Sequence, residues 1–253
     1  MTQRQVPRET GSLTGKIVVV TGGATGIGWG IARAFAEARC HVVIGGRRVE
    51  KLVEAADSFE SQPPIRHHQL DVADRDSVTE FFAWVVDRVG PIDILVNAAG
   101  INIARRTMAE MSAEEWDHVM AINATGAYNA MAAVLPSMRE RRSGLIFNIS
   151  SVSGKRALTL GGVAYCASKF AMTALGTIVG NEEAANGIRV TNIYPGEVET
   201  PILDQRPEPV SAERRATMLQ PEDFGPIVRA IAELPPRAHV PEIILKPTLQ
   251  EYV

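Results

Sequence analysis

Cysteine is nearly absent. Cys40 and Cys166 are the only two in 253 residues, and no CxxC spacing joins them. Two lone thiols argue against a disulfide framework and fit a reducing, cytoplasmic setting. Histidine is also sparse: His41, His67, His68, His118 and His239 show no zinc-ligand spacing with a carboxylate or cysteine partner, so no metal site is expected. Charge is balanced, with a net of −3, which argues against general attraction to nucleic acid or to an anionic membrane. No apolar run reads as long enough to span a bilayer. Met1 to Thr10 is polar and lacks the apolar centre of a secretory signal, so residues 1–12 are expected to form a flexible tail. There is no internal repeat and no low-complexity linker.

What is present is a large apolar fraction, 45%, against 22% charged. That suffices for a full core. β-like and helix-like segments alternate from end to end. Strands are predicted at 17–21, 41–45, 65–70, 93–97, 145–149, 188–194 and 242–245. Helices are predicted at 27–39, 49–59, 74–89, 163–186, 213–219 and 221–233. One long helix at 112–139 carries a break near Asn123 to Gly126. Strict alternation with continuously apolar strands predicts an α/β fold, a doubly wound parallel sheet covered on both faces. Residues 13–253 form a single domain on this reading, with 197–220 as a substrate lid.

Two local patterns carry chemistry. Tyr165 and Lys169 are four apart, so on a helix they share one face. A neighbouring ammonium is expected to lower the phenol pKa and prepare Tyr165 to exchange a proton with a substrate oxygen. Upstream, a strand runs into Thr21-Gly22-Gly23-Ala24-Thr25-Gly26-Ile27-Gly28 and then a helix. Glycines permit close backbone approach to a pyrophosphate, and the N–H groups of the helix start hold its charge.

The Gly-x-x-x-Gly-x-Gly spacing, together with Tyr165-x-x-x-Lys169, resembles the short-chain dehydrogenase/reductase family. Further pieces of that family's pattern follow in order: Asp71-Val72, Asn97-Ala98-Ala99-Gly100, Asn123, Asn148-Ile149-Ser150-Ser151, and Pro195-Gly196-Glu197-Val198-Glu199-Thr200. The resemblance covers residues 12 to 200 well and the last fifty weakly. It implies a Rossmann-type fold and a dinucleotide held by Gly22, Thr25, Gly26, Ile27 and Gly28. Asp71 and Val72 would meet the adenine, and Asn97, Ala98 and Gly100 would line the ribose wall. Pro195, Gly196, Val198 and Thr200 would follow beyond the sixth strand. Asp71 also suits a helix N-cap.

The second strand ends in Gly45-Gly46-Arg47-Arg48, with no carboxylate to accept from a ribose 2′-hydroxyl. Guanidinium matches a 2′-phosphate, so NADP(H) is expected in preference to NAD(H), with Arg47 the main contact and Arg48 its helper. Thr25 stands where many NADP-using relatives carry a basic residue. The expected reaction moves hydride between NADP(H) and a carbonyl or secondary alcohol. Ser151 and Tyr165 would hold the substrate oxygen, Lys169 the ribose hydroxyls, and Asn123, by resemblance, a water leading from Lys169. Ser151 rather than Ser150 is chosen because Gly154 follows it as in relatives. The Ser151–Tyr165 separation is one residue longer than usual there.

The substrate is expected to be a neutral ketone or aldehyde, or a 3-oxoacyl group, given apolar Leu158, Leu160, Val163, Ile202 and Leu203. Arg105, Arg106 and Arg156 offer a basic rim, although such arginines are usually solvated. The resemblance implies a dimer or tetramer built through the two long helices. The alternative class is a catalytically silent NADP(H) sensor or scaffold. It gives no reason for Ser151, Tyr165 and Lys169 to occur together, and a methyltransferase leaves the Tyr-Lys pair unexplained.

Overall fold

The computed structural model describes residues 12–251. The tail expected at residues 1–12 lies outside them, save Ser12. Seven strands form one parallel sheet: β1 (Ile17–Thr21), β2 (His41–Gly46), β3 (Arg66–Gln69), β4 (Ile94–Asn97), β5 (Gly144–Ile149), β6 (Ile188–Pro195) and β7 (Glu242–Leu245). Their order is β3-β2-β1-β4-β5-β6-β7, with every pairing parallel. The helices are α1 (Gly26–Glu37), α2 (Val49–Asp57), α3 (Arg75–Arg88), α4 (Ala113–Met120), α5 (Gly126–Arg141), α6 (Val163–Glu183), α7 (Ala212–Arg215) and α8 (Phe224–Ala232). This is the doubly wound Rossmann-type architecture. Its strand order reverses between β1 and β4, which opens a crevice at the carboxyl ends of the strands.

Strand alternation builds two cores. Val18 and Val20 of β1 face Ile31 and Phe35 of α1 and Val228 of α8. Val19, between them, faces the other layer with Phe81 and Val85 of α3 and Met131 and Val134 of α5. Side chains of successive strand residues point to opposite faces, so a strand buried on both sides must be apolar throughout. Ile17–Thr21 is.

Of three expectations, the break near Asn123 to Gly126 is present and the two others change. The long helix predicted at 112–139 divides into α4, a π turn at Ala121–Thr125 and α5. The break falls where Asn123 bonds the β4 loop rather than running past it. The helix predicted at 213–219 shrinks to α7, because Leu219 pairs with Val198 in a parallel bridge. Leu219 N–H donates to Glu197 O at 3.1 Å, and Glu199 N–H to Leu219 O at 2.8 Å. Third, the span Val163–Asn186 is long and apolar enough to cross a membrane by length and composition. Its apolarity comes from Ala, Gly, Val and Met around a lysine, so it escapes a search for an unbroken aliphatic run. Here it packs on β5 and β6, with Lys169, Met172, Gly176 and Gly180 buried.

The docking of α6 has a definite chemistry. Asn97, Asn148 and Asn192 occupy matched register positions on β4, β5 and β6. Asn97 Nδ2 donates to Asn148 Oδ1 at 2.9 Å, and Asn148 Nδ2 to Asn192 Oδ1 at 3.3 Å. Asn192 Nδ2 then donates to the Thr173 carbonyl and the Thr177 hydroxyl of α6, both at 3.3 Å. A Cβ at Gly176 would strike Asn192 Oδ1 and Asn148 Nδ2, so only glycine lets the helix lie on this amide ladder. A Cβ at Gly180 would meet Val190 at 3.4 Å, an ordinary contact.

The two glycines therefore respond oppositely to alanine. Helix propensity alone favours alanine by about 1 kcal/mol at either position. Gly180→Ala is expected to be neutral or stabilising. Gly176→Ala is expected to cost about 1–3 kcal/mol through overpacking. Urea denaturation midpoints check the sign, and a stabilised Gly176→Ala would refute the account of α6 docking.

Candidate active site

A cavity of about 720 Å³ follows the carboxyl ends of β1 to β6. At one end lies the glycine turn. Gly22 has φ +64° and Gly26 φ +54°, in the left-handed region that favours glycine. A Cβ at Gly22 would lie 2.7 Å from Ala99 Cα, so the turn presses against the β4 loop. The N-cap of α1, Thr25, makes no side-chain cap, and the first turn holds no acidic residue. The helix thus presents bare N–H groups with its positive dipole end to the cavity, a cradle for phosphate.

Arg47 and Arg48 follow β2, are exposed, and line this cavity together with Lys51. Asp71 and Val72 line it as well. The N-cap of α3 is Asp74, which accepts from Asp76 N–H at 3.0 Å. Asp71 is therefore not the cap. It forms a local turn instead, accepting from Ala73 N–H at 3.0 Å, while its own N–H donates to Ser77 Oγ at 3.0 Å.

Tyr165, Lys169 and Ser151 meet at the other end. Ser150 and Ser151 divide their work. The Ser150 hydroxyl is within 3.1 Å of both the Lys169 carbonyl and Thr173 Oγ1, so it fastens α6. Gly154 belongs to this fastening, since a Cβ there would meet Lys169 O at 2.8 Å. Ser151 caps a short 3-10 turn, accepting from Ser153 N–H at 3.1 Å, and its hydroxyl lies near enough to the phenol to favour the phenolate. The reading of Ser151 as a turn residue and its reading as a site residue therefore both fit the geometry.

Lys169 is 4% exposed, and its Nζ donates to the Ile149 carbonyl at 2.7 Å. Its ammonium stands 5.7 Å from the Tyr165 ring centre. Burial pulls the Lys169 pKa down to about 8. The expected acidification of Tyr165 by Lys169 is not what this arrangement produces. Burial dominates and raises the phenol pKa, while the Ser151 hydrogen bond and the charge of Arg106 pull the other way. Desolvation disfavours a phenolate more strongly than these partners favour it.

Asn123 is fully buried in the π turn. Its Oδ1 accepts from Ile101 N–H at 2.8 Å, and its Nδ2 donates to Ile101 O at 2.9 Å and to Ser168 Oγ at 3.0 Å. It ties the β4 loop to α6 one residue ahead of Lys169. Asn123 and Asn97 are the two predicted site residues that do not line the cavity. Asn97 belongs to the amide ladder, and its Oδ1 is buried without a partner.

Beyond the sixth strand, Pro195, Gly196, Val198 and Thr200 line the cavity, with Ile202 and Leu203. Leu158 and Leu160 also line it, and Val163 does not. The three rim arginines separate. Arg105 pairs with Glu115 at 3.0 Å, Arg156 is exposed, and Arg106 is buried and lines the cavity. Sequence reasoning passed over Asn102, Arg206 and Gln250, all cavity-lining. Gln250 Oε1 accepts from Glu197 N–H at 2.9 Å across 53 positions, a contact with no local signature.

The family pattern of the short chain dehydrogenases matches residues 16–210. The chain is 36% identical over 197 residues to the 3-oxoacyl-(acyl-carrier-protein) reductase FabG of Thermotoga maritima, covering 78% of this chain and 79% of that one. It is 32% identical over 252 residues to the glycine betaine reductase ATRR of Emericella nidulans; this covers 97% of the chain and only 20% of that larger protein. Among solved structures, an alcohol dehydrogenase from the archaeon Thermococcus sibiricus complexed with 5-hydroxy-NADP superposes with a TM-score of 0.84 at 29% identity, covering 94% of this chain and 99% of that one. Matched over most of its length, with the glycine turn and the Tyr165–Lys169 pair on one cavity, the chain belongs to the short-chain dehydrogenase/reductase family of oxidoreductases.

Proposed function

We propose that the protein is an NADP(H)-dependent carbonyl reductase, or alcohol dehydrogenase in the reverse direction. The observation that carries this reading is that Ser151, Tyr165 and Lys169 share one cavity with an uncapped helix start and Arg47. Bound NADP(H) supplies or accepts the hydride. The cradle at Gly22, Thr25, Gly26, Ile27 and Gly28 takes the pyrophosphate, and Arg47, helped by Arg48, takes the 2′-phosphate. Binding of NADP analogues by a structural neighbour is consistent with that choice. Lys169, whose ammonium is buried beside Tyr165, takes the ribose hydroxyls.

Ser151 and Tyr165 hold the substrate oxygen, and Tyr165 transfers the proton. A phenol whose pKa lies above its ordinary value is present in the protonated form that reduction consumes. Asn123 acts by holding the β4 loop against α6, and it keeps Lys169 in place. Residues 197–220 act as the lid, with Leu203 and Ile202 toward the substrate. The likeness to a 3-oxoacyl reductase supports a 3-oxo compound among ketones and aldehydes as substrate. Exposed Tyr128 on α5 and Phe170 and Ile178 on α6 suit pairing of the long helices in a dimer or tetramer. The two buried, unpaired thiols suit a reducing cytoplasm.

Initial rates with NADPH and NADH against a panel of ketones, aldehydes and 3-oxoacyl thioesters test the reading. Tyr165→Phe is expected to lower turnover by about 10²- to 10⁴-fold and to leave NADPH binding nearly intact. Substantial residual activity would mean another proton donor. Arg47→Ala is expected to weaken NADPH about tenfold, the worth of one charge-assisted hydrogen bond, with NADH unchanged. An equal loss for both nucleotides would remove the 2′-phosphate assignment. With Lys169 titrating near 8, the ammonium is present below that pH and is lost above it. NADPH affinity should therefore fall as pH rises from 7 to 9.5, and Lys169→Ala should flatten the profile. Fluorescence titration of NADPH reads both.

A further inference from the structure

Among the described residues, Arg106 is a buried cation without an anion. It lies in the loop after β4, is 8% exposed, and lines the cavity that holds Tyr165. No carboxylate contributes to its environment; burial and the like charge of Arg206 both disfavour its charged form. A buried charge is costly unless it is paired. Three of its five N–H groups are satisfied by carbonyls. Nε donates to Ile103 O at 2.7 Å, Nη1 to Leu160 O at 2.6 Å and Nη2 to Gln205 O at 2.8 Å. One N–H on each terminal nitrogen is left without a protein acceptor among the described residues.

The residue is also held firmly. Val163 N–H donates to Arg106 O at 3.1 Å. A Cβ at Gly162 would lie 2.9 Å from that same oxygen. Arg106 is thereby pressed against the first turn of α6, two residues ahead of Tyr165, and its charge reaches the phenol. The other cation on this side of the cavity, Arg206, is already compensated: it pairs with Glu197 at 2.9 Å. Glu197 also holds Arg214. The positive charge that remains open to a ligand here is that of Arg106.

We infer that the substrate carries a carboxylate, which Arg106 binds while Tyr165 and Ser151 address the reacting oxygen. The two oxygens of a carboxylate match paired guanidinium N–H donors. This rests on the reductase reading above and narrows its substrate class. The lid is drawn in as well. Among the described residues, Arg106 to Gln205 O is the one hydrogen bond joining residues 201–218 to chain outside 197–220.

The test uses matched pairs with NADPH: pyruvate, acetoacetate and levulinate, each against its methyl ester. The series varies the distance from carbonyl to charge, and each pair keeps the carbonyl. At least one acid is expected to exceed its ester in kcat/KM by about tenfold or more, chiefly through KM. Arg106→Gln should bring that ratio close to one whatever its absolute rate, and Arg106→Lys, which keeps the charge, should retain part of it. Thermal shifts of the NADP+-loaded protein with the same pairs read binding without turnover, and should show the same acid preference and its loss. Esters that match or surpass the acids in both measurements would overturn the inference and leave carbonyl reduction standing. An acid preference that survives Arg106→Gln would overturn it too. Failure of the reductase reading shows separately, as no NADPH oxidation with any carbonyl of the wider panel.

Discussion

The seating of α6 on β5 and β6 governs the rest of the molecule's chemistry. Lys169 is held to the Ile149 carbonyl, Ser150 to the Lys169 carbonyl, and Asn123 to Ser168, so one helix is bonded to the end of β5 and to a π turn. The amide ladder beneath it supplies polar donors to the helix backbone from inside the sheet. Polar groups buried this deeply must be satisfied, and satisfying them leaves the helix with one register. The Tyr165 hydroxyl then stands beside Ser151 because its helix cannot slide.

Electrostatics divides the cavity into two regions of different character. The nucleotide end is built from backbone N–H groups, the exposed cations Arg47 and Arg48, and a half-buried Lys51 paired with Glu54. The chemical end is more enclosed, with Ser151 and Lys169 buried and Tyr165 partly so. There the same burial raises Tyr165 and lowers Lys169, so both groups are biased toward their neutral forms. The phenol therefore holds its proton, while the lysine changes charge near 8, well below its ordinary value in water.

Much of this was readable from the chain. The seven strands were each located within two residues; apolar, buried runs mark β1, β2, β4 and β5, whereas β3 and β7 at the sheet edges are only partly buried. The glycine turn and the Tyr165–Lys169 spacing put both ends of the cavity on one sheet edge. What escaped reading was non-local. Asn97 looked like a cavity residue, yet its register opposite Asn148 turns it into the ladder, and register is not written in one strand alone. Arg106 looked like an ordinary surface cation; only three carbonyls from segments as far apart as Ile103 and Gln205 bury it. The phenol's pKa went the other way because a four-residue spacing gives proximity but not dielectric. Leu219 ended a predicted helix because its backbone had a better partner in Glu197.

Residues 197–220 contain four ion pairs of their own, Glu197 with Arg206 and Arg214, and Arg215 with Glu199 and Asp204. The Val198–Leu219 bridge closes their base. In the proposed lid role, a segment so braced would move as a stiff plate. Swinging it outward would give up the Arg106–Gln205 and Glu197–Gln250 bonds and the burial of Val198, Leu203 and Met218, with its own ion pairs left whole. Escape of a bound molecule would then demand no melting of structure, with the hinge at the two chain crossings beside Pro195 and Gln220.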